Sequence, residues 1–125
     1  MIAGLGTDII EVERIAGKIG RSVGFREEIF SKREIDYCET KTNKFEHYAA
    51  RFAAKEAFFK AIGTGWLKET AFNEVEITND ENGKPGLGLL GKTQNSITDA
   101  FGGIKIFVSL SHLKTMAMAV VIIEK

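Results

Sequence analysis

The stretch KFEHYAARFAAKEAFFKAI, residues 44–62, decides the fold. It contains neither glycine nor proline and is rich in alanine and other strong helix formers, so it predicts one long helix. Asn43, followed three residues later by Glu46, has the spacing of a capping box at its start, and Gly63 supplies a terminator. Phe45, Ala49, Phe52, Phe59 and Ile62 recur at helical intervals and mark an apolar stripe. Position 56, which completes the stripe between Phe52 and Phe59, is a glutamate. An ionised carboxylate among phenylalanines must be paired, hydrated or metal-bound.

Upstream, Ile2–Ile10 reads as a strand in which Gly4 and Gly6 leave one face nearly bare, with Asp8 on that face. Val12, Ile15, Ala16 and Ile19 predict a helix from Glu11 to about Ile19, with Gly20 available to end it. Carried on through Arg21, that helix would align Arg14, Lys18 and Arg21 as a basic stripe. Phe25–Phe30 has helical character, and Ser31 with Glu34 forms a capping box for a further short helix. Downstream of Gly63 and Gly65, Val75 and Ile77 alternate with Glu74, Glu76 and Thr78 as a strand, before turn residues at Asn79–Gly83 and the pair Lys84-Pro85. A modest helix is expected over Lys92–Phe101. Ile104–Ser111 and Met116–Ile123, separated by His112–Thr115, predict a terminal hairpin. Helices and strands mix without regular alternation, which is the α+β class.

A chain of 125 residues matches one domain, 1–125. With 17 basic and 17 acidic side chains, no global field draws it to nucleic acid or to an anionic membrane. The run Met116–Ile123 is far shorter than the ~20 residues that span a bilayer, and no basic leader precedes Asp8. The lone Cys38 has no internal disulfide partner. A cytoplasmic protein, neither exported nor membrane-embedded, is expected.

Two carboxylates on separate elements, Asp8 and Glu56, without a histidine or cysteine cluster, suit a hard oxygen-seeking cation such as magnesium and disfavour zinc. The plainer alternatives are that Asp8 caps the helix beginning near Glu11 and that Glu56 pairs with Lys60, four residues on. Lys60 or Lys55 could stabilise a departing phosphate. His112, after Ser109-Leu110-Ser111, could meet an anion or simply face solvent in a hairpin turn. Neither a glycine-flanked serine elbow nor a phosphate-binding Gly-Lys-Ser/Thr loop is present, which argues against a serine hydrolase or a P-loop enzyme. Gly63-Thr64-Gly65 reads as a helix stop and a possible ligand edge.

Gly6-Thr7-Asp8-Ile9-Ile10, Arg51-Phe52-Ala53-Ala54-Lys55-Glu56-Ala57 with Lys60-Ala61-Ile62-Gly63, Asn82-Gly83-Lys84-Pro85, and Ser109-Leu110-Ser111-His112 together resemble the holo-acyl carrier protein synthase family of short phosphopantetheinyl transferases. The resemblance covers essentially the whole chain. It implies a compact α+β subunit with a small mixed sheet and a long central helix. It also implies a homotrimer with coenzyme A in a cleft between neighbouring subunits. By the same resemblance Asp8 and Glu56 ligate magnesium with pyrophosphate oxygens, Lys60 assists at the pyrophosphate, and Ser111 and His112 lie near coenzyme A. Arg51, Gly63 and Pro85 shape the coenzyme A cleft, and Arg14, Lys18 and Arg21 face an acidic acyl carrier protein. Phe107 and Leu113 depart from the family pattern, which touches only peripheral coenzyme A contacts.

The implied reaction is in-line attack by a carrier serine on the β-phosphate of coenzyme A, releasing adenosine 3',5'-bisphosphate, in the service of fatty acid biosynthesis. Glu56 or a water on the magnesium would accept the proton. The rivals are a coenzyme A or carrier-binding module without turnover, and a metal-dependent phosphate-ester hydrolase with no protein acceptor.

Overall fold

The computed structural model describes residues 1–63 and 69–125; Thr64 and Gly65 of the proposed turn lie outside the described residues. In chain order it contains strand β1 (Ile2–Glu11), helices α1 (Val12–Arg21), α2 (Phe25–Ile29), α3 (Lys32–Glu39) and α4 (Lys44–Ile62), a 3-10 turn at Phe72–Glu74, strands β2 (Val75–Asn79) and β3 (Pro85–Leu89), helix α5 (Gly91–Phe101), and strands β4 (Lys105–His112) and β5 (Met116–Glu124).

The terminal hairpin forms as expected, but β5 is its central strand: β1 pairs antiparallel along the other edge, giving the order β1-β5-β4. One face of this sheet carries Ala117, Ala119, Val121 and Ile123, all buried against α4. Gly4 and Gly6 continue that face on β1, where the helix backbone comes so near that no side chain fits. The opposite face stays open, with Leu5, Ile9 and Phe107 more than half exposed. A second sheet, β2-β3, closes on a turn in which Asp80 Oδ1 accepts from the backbone N–H groups of Asn82 and Lys84. Strand β3 is unexpected, because Pro85-Gly86-Leu87-Gly88-Leu89 lacks the β-branched residues that mark strands; pairing with β2 along its whole length supplies the order.

Helix α4 is the hub, and its interior differs from the expected stripe. Tyr48, Ala49, Ala50, Ala53, Ala54, Ala57 and Phe58 are buried, whereas Phe45, Phe52 and Ile62 are only half-buried. Elements cover it on several sides, and alanines let them approach closely. The Asn43 cap does not form: Asn43 has φ −100° and ψ 48° and makes no side-chain bond to the helix. The Ser31 capping box does form, with Glu34 reaching back to the Ser31 N–H at 2.9 Å. Helix α1 runs past Gly20 to Arg21, so the basic stripe is helical throughout, and its N-cap is Glu11 rather than Asp8.

Candidate active site

Asp8, Glu56 and Lys60 come together where β1 crosses α4. The alternation of a strand puts Gly4, Gly6 and Asp8 on one face. A Cβ built on Gly6 would lie 2.0 Å from the Ala57 carbonyl oxygen, and one on Gly4 would lie 2.1 Å from that of Ala61. Absence of side chains at both positions thus seats the strand on the helix backbone and brings Asp8 beside the fourth and fifth turns. Lys60 Nζ donates to Asp8 Oδ1 at 3.0 Å and to the Thr7 carbonyl at 3.1 Å. Lys60 therefore bridges to the strand rather than forming the helix-surface pair with Glu56 that was the plainer alternative.

Glu56 is half-buried at this junction. Burial pushes its carboxyl above the usual glutamate range, and the Asp8 charge pushes the same way; Lys60 and Lys18 oppose them. Two acids thus share a partly desolvated corner in which one ammonium group already bonds Asp8. Gly63, in the left-handed conformation at φ 78°, ends α4 just beyond Lys60.

Lys55 belongs elsewhere, contrary to its candidacy for stabilising a departing phosphate. Its side chain is fully buried, donating to Glu34 Oε1 at 2.7 Å, to the Phe72 carbonyl at 2.8 Å and to the Val75 carbonyl. Glu34 Oε2 in turn accepts from the Ile77 N–H at 3.0 Å. This buried pair ties α3, α4 and β2 together and has no free hydrogen to offer a substrate. Cys38 is also buried, which pushes its thiol up to about 12 and leaves it inert at neutral pH.

Arg51, Pro85 and His112 form a second group, around a cavity of about 220 Å³ whose walls also include Tyr37, His47 and Asn79. Arg51 is buried, with its guanidinium 4.3 Å from the Tyr37 ring centroid and one nitrogen donating to Asn79 Oδ1. His112 is the last residue of β4 rather than part of the turn, and its Nδ1 lies 2.9 Å from Glu46 Oε1. Ser111 is exposed on the opposite face of β4, so it does not share this cavity with His112. Arg51 and Glu56 stand about 140° apart around α4, so one copy of the chain presents its two groups in different directions. Tyr37, His47 and Asn79 were not legible as members of this cavity, nor was Glu46 as the partner of His112. Asn79 lies 28 residues from Arg51 and Glu46 lies 66 from His112, so no local spacing announces either contact.

The basic stripe borders the first group. Arg14 and Arg21 are exposed, the Arg21 guanidinium lies over Gly17, and Lys18 Nζ lies 5.8 Å from the Phe25 ring centroid. Lys18 is near enough to Glu56 for its charge to act on that carboxyl.

Residues 4–112 match the family model of the 4'-phosphopantetheinyl transferase superfamily. The chain is 50% identical over 124 residues to a holo-[acyl-carrier-protein] synthase of Ruminiclostridium cellulolyticum, with 96% of this chain and 90% of that protein covered. Among solved structures it is similar to the holo-[acyl-carrier-protein] synthase of Neisseria meningitidis, with a TM-score of 0.88 at 31% identity over 100% of both chains. It also resembles the Chronobacterium ammoniagenes ACPS-CoA complex, with a TM-score of 0.87 at 28% identity over 97% of this chain and 96% of that one.

Proposed function

The chain belongs to the 4'-phosphopantetheinyl transferase superfamily, and from that membership we propose that it is a holo-acyl carrier protein synthase. It transfers the 4'-phosphopantetheine group of coenzyme A to a serine hydroxyl of apo acyl carrier protein and releases adenosine 3',5'-bisphosphate, in support of fatty acid biosynthesis. The observation that carries this reading is the meeting of Asp8, Glu56 and Lys60 from two separate elements, Asp8 and Lys60 being 52 residues apart in sequence.

The acids fit magnesium. Both are oxygen donors, their mutual repulsion calls for a cation, and among the described residues no third histidine, cysteine or acid joins them to close a protein-only shell. Such a half-made shell is what magnesium takes when it shares substrate phosphates and waters. Magnesium held by Asp8 and Glu56 would neutralise pyrophosphate charge during in-line displacement. Lys60, tethered by Asp8 and the Thr7 carbonyl, is positioned to offset charge on the departing phosphate. Glu56, half-buried beside Asp8 where β1 crosses α4, is the group of this chain best placed to take the serine proton.

Coenzyme A lies between copies of the chain, one offering Asp8, Glu56, Lys60 and Gly63 and the next offering Arg51, Pro85 and His112. The open apolar sheet face with Leu5, Ile9 and Phe107 supports a homotrimer, as does the divergence of the two residue groups within one copy. Arg14, Lys18 and Arg21 steer the acidic carrier protein to this cleft. The protein works as one domain, in the cytoplasm.

The test is to incubate the protein with coenzyme A, magnesium and apo acyl carrier protein and weigh the carrier. Gain of one phosphopantetheine mass, abolished by chelator, is expected. Binding without added mass would replace this reading with a turnover-free module, and release of product without carrier would point to a hydrolase.

A further inference from the structure

Glu46 has the wrong geometry for the role its position suggests. Three residues after Asn43, it should close a capping box, yet Asn43 makes no cap bond and the Glu46 carboxylate turns instead to the end of β4. There its Oε1 meets His112 Nδ1 at 2.9 Å. Glu46 is largely buried, with only 16% of its side chain exposed, and His112 shows 28%. The contact joins residues 66 apart in sequence.

An ionised carboxylate can only accept a hydrogen bond, so this contact requires the proton on His112 Nδ1. That leaves Nε2 as the free nitrogen of a ring whose other side is braced by His47, centroids 5.2 Å apart at 62°. The ring also lines the cavity with Arg51, Asn79 and Pro85. A histidine whose Nδ1 is held in this way has a set tautomer and a set ring plane, the arrangement by which outer partners orient ligand-binding histidines.

We propose that Glu46 is a positioning residue for the transfer reaction: by holding the Nδ1 proton of His112 it aims the Nε2 edge at the coenzyme A donor. This inference rests on the reading that coenzyme A occupies the Arg51–Pro85–His112 cavity. Glu46 itself meets only the imidazole, so its effect travels through ring orientation and tautomer.

The experiment compares full-length Glu46→Gln, Glu46→Asp, His112→Ala and the double variant Glu46→Gln/His112→Ala in steady-state transfer, together with imidazole nitrogen NMR. The outer partners of metal-ligating histidines are worth about 10–100-fold in affinity or activity, which sets the scale for this one. Glu46→Gln should therefore raise the KM for coenzyme A about tenfold with a much smaller fall in kcat, and Glu46→Asp should recover part of the loss. The double variant should be no worse than His112→Ala alone, because the two residues act as one unit. The NMR spectrum of Glu46→Gln should lose the single Nδ1-protonated signature of His112, a readout that a merely structural role for Glu46 would not move. Additive effects, or an unchanged tautomer with unchanged KM in Glu46→Gln, overturn the proposal. An unchanged KM in His112→Ala instead removes the underlying placement of coenzyme A, so the two failures are distinct.

Discussion

Replacing Gly6 with alanine adds one methyl group where β1 meets α4. The new Cβ would sit 2.0 Å from the Ala57 carbonyl oxygen and 2.7 Å from the Ala61 nitrogen, whereas ordinary contact begins near 3.4 Å. Relief requires the strand to move off the helix by about 1.4 Å at that point, because both obstacles are main chain and neither can rotate away. Overpacking of this kind costs about 1–3 kcal/mol, and rigid backbone on both sides puts the expected value at the upper end. Asp8 lies two residues along the same strand and would move with it, away from Glu56 and Lys60. Misplacement by about 1 Å is worth about 10²-fold in rate, so kcat should fall roughly that much in protein that remains folded. The assay is urea unfolding followed by carrier mass-shift kinetics, with Gly20→Ala as control. Gly20 has no atom within 4 Å of its added Cβ and lies within α1, where alanine should stabilise by about 0.5–1 kcal/mol. A Gly6→Ala protein as stable as the parent, with full kcat, would show that close seating of the strand does not build the site.

Three further outcomes are expected. Lys55→Met strands the Glu34 carboxylate in the core and should cost about 3–5 kcal/mol, while Lys60→Met should keep the fold and lose transfer; equal melting temperatures for the two variants would contradict the division of roles. In metal-free protein the folded state holds the Glu56 proton more tightly than the unfolded chain does. Its contribution to stability is therefore present in full below the ordinary value of 4.5 and lost as pH rises through the raised folded value. Melting curves should accordingly show Glu56→Gln gaining on the parent as pH rises, with magnesium stabilising only the parent; a gap that does not change with pH excludes this. Reversing charge at Arg14 and Arg21 should raise the KM for carrier protein about tenfold or more at low salt and converge with the parent at high salt, where screening falls to a few ångströms. Unchanged carrier kinetics at low salt would remove the stripe from the docking surface.

The residue pattern by itself marked the helices and every strand but β3, and singled out the residues proposed to carry the chemistry. Alanine-rich 44–62 can hardly avoid helix, and Gly4, Gly6 and Asp8 share a face because strands alternate. The same periodicity placed Arg14, Lys18 and Arg21 on one side of α1. Only the tertiary structure decided which lysine is locked in the core and which reaches the candidate site: Lys55 and Lys60 look alike in sequence, but Lys55 meets Glu34 in the core and Lys60 meets Asp8 at the rim. It likewise drew Glu46 from its expected cap to His112, and placed β1 beside β5 rather than at random along the sheet. Local propensity is set by a side chain's own backbone and its neighbours within a turn or two, so it can be read along the chain. Pairing between groups 20 to 66 residues apart depends on which backbones approach closely enough to exclude water, and that is settled only when the alanines and glycines of α4 and β1 come into contact.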